Sequence, residues 1–157
     1  MSELDKIGGF VRRHHVMTVA TVGAGNRADG ADGESAGGAN SGAWVAHVFY
    51  AWLAGEGLFV FTTDTATRHG AEMAANSRVA AGVALETRTV GRVQGLQVEG
   101  RVRRAEGAEL KSARAAYLRR FPYAVVAPLS LWLLEPTLMK LTDNTLGFGK
   151  KLIWHKA

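Results

Sequence analysis

Two β-rich runs joined by one short turn place the first limit on this fold. Ala43–Trp52 (AWVAHVFYAW) and Leu58–Thr62 (LFVFT) are dense in β-branched and aromatic residues, and Gly55-Glu56-Gly57 turns tightly between them. A connection this short joins antiparallel strands, since a parallel pair needs a crossover of a dozen residues or more. Further strand runs are Val16–Val22 (VMTVATV), Val79–Leu85 and Leu152–His155. Val93–Arg104 alternates Val93, Leu96, Val98 and Val102 with polar residues and with glycines that suggest bulges or close backbone approach. Leu129–Leu134 and Leu138–Thr142 read as two strands joined across Glu135-Pro136.

Three segments carry helical spacing instead. Leu4, Ile7, Phe10 and Val11 define a short helix ending near His14. Thr65–Asn76 places Ala66, His69, Met73 and Ala74 on one side, with Thr65 or Thr67 as the capping oxygen. Glu106–Arg120 carries an apolar stripe of Leu110, Ala113, Ala116, Tyr117 and Leu118, gathers arginines toward its C-terminus, and is stopped by Pro122. Six or more strands that do not alternate with helices argue for a mainly β fold, an antiparallel barrel with helices packed outside, and against a doubly wound parallel sheet. The 157 residues suffice for one domain. Within it, Gly23–Gly42 contains no large apolar residue and reads as a long, flexible connection in the first hairpin.

Composition narrows the chemistry. The chain has no cysteine, which excludes disulfides, thiolate-held clusters and a thiol nucleophile. No apolar run reaches the ~20 residues of a membrane helix, and the N-terminus lacks the order of a signal peptide, so a cytoplasmic protein with no membrane partner is expected. The net charge of +5 invites an anionic partner, although solubility alone explains it equally well.

Several motifs fail on inspection. Gly23-Ala24-Gly25 has its third glycine misplaced and no following apolar helix, and Gly147-Phe148-Gly149-Lys150 lacks the rest of a phosphate-binding loop. His14 and His15 are adjacent and diverge on a helix, so no metal site is expected, and nothing resembles a nucleophile elbow. The stretch Thr62-Thr63-Asp64-Thr65-Ala66-Thr67-Arg68-His69 is more informative. It runs from a strand end through a hydroxyl-rich turn into a helix start, where backbone N–H groups, the helix dipole and an arginine fork suit an oxyanion. Simple capping of a surface helix by Thr65 or Thr67 explains the same residues. Gln94 has an amide able to meet a heterocycle edge, or it faces solvent with Gln97 and Glu99. The run Thr142–Trp154 reads equally as a functional loop or a packed terminal hairpin.

These residues carry a resemblance. LFVFTTDTATRHGAEMAANSRVAAGVA, VQGLQVEGRVRR, Tyr117–Pro122 and Thr142–Trp154 resemble the YhbP-type family of the pyridoxamine 5′-phosphate oxidase-like, FMN-binding split-barrel superfamily. The resemblance implies a six-stranded antiparallel split barrel that forms a homodimer, with FMN at each of two interface sites. It implies that Thr67, Arg68 and His69 occupy the phosphate-binding motif, with His69 where lysine is usual. Phe61, Thr62 and Thr63 would lie along the ring and ribityl chain, Gln94 near the flavin ring, and Lys150 and Trp154 beside it from the chain end. The Arg-x-His substrate element of pyridoxamine phosphate oxidase is missing, and Gly149–Trp154 stands in its place, so that activity is not expected. The resemblance therefore implies a flavin-dependent oxidoreductase acting on an unassigned small substrate, with no catalytic side chain assigned. Two other readings stand beside it. One is a split barrel holding haem, with His15, His47 or His69 as ligand, or a deazaflavin. The other is a non-catalytic anion or nucleic-acid module built on Arg101–Arg104 and Arg119-Arg120, disfavoured by the lack of interleaved aromatics.

Overall fold

The computed structural model describes residues 1–23 and 42–157. Apart from its two ends, the glycine-rich connection expected over Gly23–Gly42 lies outside them. Among the described residues, seven strands form one antiparallel sheet: β1 (Val16–Val22), β2 (Ala43–Leu53), β3 (Leu58–Thr62), β4 (Arg78–Ala84), β5 (Gln94–Arg104), β6 (Leu131–Asp143) and β7 (Lys151–His155). Their order is β3-β2-β1-β4-β5-β6-β7, and β3 pairs again with β6. The first six strands thus close into a barrel and β7 lies outside the ring.

β6 makes both connections. Leu131–Leu134 close the ring onto β3, whereas Leu138–Thr142 pair with β7. The two strands expected on either side of Glu135-Pro136 are therefore one. Pro136 lacks an N–H but lies where the β5–β6 register already slips, between Glu99 and Gly100, so the ladder continues past it. Gly100 is required at that slip, because a Cβ there would lie 2.4 Å from the Glu135 carbonyl oxygen.

Period-two patterning sends Met17, Val19 and Thr21 of β1 inward and leaves Val16, Thr18, Ala20 and Val22 outward. β3 is apolar on both faces because both are covered: Phe59 and Phe61 enter the barrel core, and Leu58 and Val60 join a second core. That second core lies beneath α3 (Gly107–Arg120) and receives its Ala113 and Tyr117. The stripe on α3 is narrower than expected, since Leu110 is exposed.

The other helices sit at opposite ends of the barrel. α1 (Glu3–Arg13) starts with a capping box between Ser2 and Asp5 and buries Ile7, Phe10 and Val11 in the barrel core. Its C-terminal turn is held by the Tyr50 hydroxyl, which donates to the Val11 carbonyl at 2.7 Å. α2 (Arg68–Ala75) covers the end where β1 finishes, and the Asn76 amide beyond it donates to the Val22 carbonyl at 3.1 Å. Among the described residues, no helix is long and apolar enough to cross a membrane.

Candidate functional site

The start of α2 is built by a tight turn. The Asp64 carboxylate accepts from the Ala66 N–H at 2.8 Å, and the Asp64 carbonyl accepts from the Thr67 hydroxyl at 2.7 Å. The same hydroxyl accepts from the Gly70 N–H at 3.1 Å, so Thr67 rather than Thr65 is the cap. Gly70 permits the turn, since a Cβ there would fall 2.1 Å from the Asp64 carbonyl oxygen.

Arg68 leaves this turn and is 7% exposed. Its Nε donates to Glu72 Oε1 at 2.9 Å, and its guanidinium lies 4.4 Å from the centre of the Trp44 ring. Glu72 is fully buried and its other oxygen accepts from the Thr21 hydroxyl at 2.6 Å. A carboxylate, a hydroxyl and an indole from three elements thus fix one guanidinium. Its two Nη groups have no hydrogen-bond acceptor among the described residues. Buried donors are rarely left so, and an oxyanion would satisfy them.

The neighbouring residues are more fully engaged. The Thr62 hydroxyl accepts from the Ser130 N–H at 3.1 Å, and the Thr63 N–H donates to the Ser130 carbonyl at 3.1 Å. The Thr63 carbonyl accepts from the Trp132 indole at 3.2 Å, and its hydroxyl is bonded to His69 Nε2. The Phe61 side chain is fully buried in the barrel core. All six residues, Phe61 to His69, nonetheless share one end of the barrel.

Gln94, Lys150 and Trp154 do not join them. Gln94 opens β5 at the α1 end, and its amide donates to Asp143 Oδ2 at 2.9 Å. Burial pushes the Asp143 carboxyl up, but hydrogen bonds from Thr145 and Gln94, with the Arg13 charge, outweigh it and leave the group below its usual range. The Lys150 carbonyl accepts from the Asp143 N–H at 2.8 Å. Trp154 pairs in register with Met139 and packs its ring against the barrel core. Ten residue steps along β5 separate Gln94 from the level of Thr62, roughly 30 Å.

Between the two ends the outer sheet face is made of small residues. Ala20, Ala80 and Gly82 help line a cleft of about 670 Å³ that also meets Gln97, Glu99, Lys140 and His155. A second cleft, of about 830 Å³, continues it past Gly82 to Gly95 and His47. Around them Val16, Val22, Val45, Phe49 and Ile153 are each about half exposed.

Sequence reasoning missed Glu72, Thr21, Trp44, Asp143 and Ser130. Glu72 had a signal, standing four residues after Arg68 on a helix. The others come from distant strands and loops and leave no local pattern.

Residues 4–142 match the pyridoxamine 5′-phosphate oxidase family. The UPF0306 protein plu4501 of Photorhabdus laumondii is 39% identical over 147 residues, which span 94% of this chain and 92% of that protein. The UPF0306 protein YhbP of Salmonella paratyphi B is 38% identical over 154 residues, 98% of this chain and 94% of that one. Among solved structures, a heme binding protein from Mycobacterium smegmatis aligns with a TM-score of 0.72 at 20% identity; 99% of this chain is covered but only 58% of that protein. An FAD binding protein from the same organism aligns with a TM-score of 0.63 at 13% identity, covering 96% and 95%. A pyridoxinephosphate oxidase family protein from Clostridium acetobutylicum aligns with a TM-score of 0.61 at 13% identity, covering 99% and 96%. At these identities the structural likeness establishes the split-barrel fold alone.

Proposed function

The chain belongs to the UPF0306 family and carries a pyridoxamine 5′-phosphate oxidase-like domain, and from that premise we propose an FMN-binding homodimer that acts as an oxidoreductase on a small substrate. The observation that carries this reading is Arg68, buried and fixed by Glu72 and Trp44 while its Nη groups lack acceptors among the described residues. That arrangement fits a phosphate group at the start of α2.

Bound FMN would supply the redox chemistry through its ring system. The residues of this chain bind and orient. Arg68 offers a fork already held in one rotamer, so little entropy is lost when it meets an oxyanion. Thr67 shapes the turn rather than offering a free hydroxyl, because both its bonds are internal. Likewise, Thr62 and Thr63 fix the β3 end through Ser130 and Trp132. No side chain is assigned a chemical step.

The homodimer is supported by the separation of the two residue groups. One flavin can meet both Arg68 and Gln94 only if they come from different chains. The small-residue outer face, with its half-exposed rim, supplies a surface on which a second copy can pack. Mixing the purified protein with excess FMN, desalting it and recording its absorbance tests the reading. Flavin bands at about one per chain, weakened in Arg68→Ala, are expected. A colourless protein overturns it, and a haem spectrum retained instead moves the cofactor assignment to haem.

A further inference from the structure

A different pocket collects positive charge, and none of its lining residues is acidic. It lies between the C-terminal turns of α1 and α3 against the end of β2, has a volume of about 360 Å³, and is lined by Arg12, His15, Trp52, Arg119 and Arg120 together with small alanines. The acids of both helices are elsewhere. Glu3 and Asp5 occupy the first turn of α1; Asp5 is bonded to Ser2, which lowers its pKa most, and the Arg12 charge adds the smallest contribution. Glu109, in the first turn of α3, is bonded to Arg103. Among the described residues, no carboxylate lines the pocket.

Its three arginines are not equivalent. Arg120 holds the backbone together, donating to the Arg12 and His14 carbonyls and lying over the Tyr50 ring. Arg12 and Arg119 are exposed, and neither side chain has an ion pair or hydrogen bond among the described residues. Cations near helix C-termini are ordinary. Two such termini converging on one concave, partly apolar pocket, with two forks that make no ion pair or hydrogen bond among the described residues, are not accounted for by capping. The electrostatics agree. Burial lowers the His14 pKa most, and the charges of Arg13, His15 and Arg120 lower it further.

We infer that this pocket binds a small organic phosphomonoester, with Arg12 and Arg119 holding the dianion and Trp52 forming the wall for its organic part. Every polar side chain on the pocket wall can donate a hydrogen bond and its forks match phosphate oxygens, which selects an anion over a neutral ligand. The size suits a single ring or short chain, not a polymer. The pocket lies at the α1 end of the barrel, away from Arg68 in the same chain, and the inference is independent of flavin.

Calorimetric titration of the full chain with phenyl phosphate, with phenol and a short oligonucleotide as parallel ligands, tests this. Saturable binding of phenyl phosphate at one per chain is expected, with none for phenol. Arg12→Gln with Arg119→Gln should weaken it about tenfold or more, by the loss of charge-assisted bonds. Both residues are exposed, so the variant keeps its fold, which circular dichroism verifies. Arg68→Met with Glu72→Met, which removes the α2 arginine without stranding the buried Glu72 carboxylate, should leave this binding intact. Absence of saturable binding, its survival in Arg12→Gln with Arg119→Gln, or its loss only in Arg68→Met with Glu72→Met overturns the proposal. Tighter binding of the oligonucleotide, lost in Arg12→Gln with Arg119→Gln, replaces it with a nucleic-acid surface.

Discussion

At the scale of single residues, the decisive fact is that the arginine read as a phosphate anchor has an internal counter-ion. Arg68 and Glu72 are both buried, so their pairing is an arrangement that is costly to break from one side. Glu72→Ala leaves a guanidinium without its carboxylate and should lower stability by about 3–5 kcal/mol, measured by urea unfolding. Replacing both partners with apolar residues, as in Arg68→Met with Glu72→Met, should recover much of that loss while abolishing flavin retention. If the single and double variants are equally destabilised, the pair is not the source of the cost. Asp143 shows the same logic under pH. Its folded pKa is below the usual carboxylate value, so its contribution is full above about pH 4 and is lost as pH falls through the folded value. Gln94→Ala removes one of the bonds that lower it and should move the acid-unfolding midpoint to higher pH, followed by circular dichroism.

At the scale of elements, β6 explains how a barrel is split. Its first half completes the ring and its second half carries β7, and the change of partner falls at Pro136, opposite Gly100. Gly100→Ala must push against the Glu135 carbonyl and should cost about 1–3 kcal/mol in thermal unfolding. Gly55→Ala, with no neighbouring atom within 4 Å, should be close to neutral under the same measurement. Strands are legible in the sequence wherever one face is buried, as in β1 and β5, because alternation is then visible. β3 is legible for a different reason, a short apolar run beside a tight turn. The closure of β3 onto β6 is not legible, since it pairs segments about 70 residues apart and leaves no mark in either. Nor is the continuity of β6, because a proline normally ends a strand and the bulge that accommodates it depends on the partner strand. At the candidate site, a helix start that carries an arginine and a histidine in its first turn can be read locally at Thr67–His69. Which threonine caps α2 cannot, because Gly70 and Asp64 decide it through space.

At the scale of the whole molecule, the barrel places Arg68 and Gln94 at opposite ends, and a shared flavin site then requires two chains. Complementation follows from this. Arg68→Ala disables one half of each site and Gln94→Ala the other half, so each variant alone should form dimers that retain little FMN. Refolded together in equal amounts, half of the dimers will be mixed, and each mixed dimer has one site with both halves intact and one with neither. Flavin retention should therefore return to about a quarter of the wild-type level, a value set by the symmetry of a two-fold dimer. If Gln94 and Arg68 instead served separate sites within one chain, mixing would restore nothing beyond the average of the two variants. Introducing Ala80→Arg into both chains, where a large charge would stand on the small-residue outer face, should remove the recovery and shift the protein to monomers in light scattering. Recovery that persists in such monomers would separate flavin retention from dimerisation and overturn the shared two-chain site.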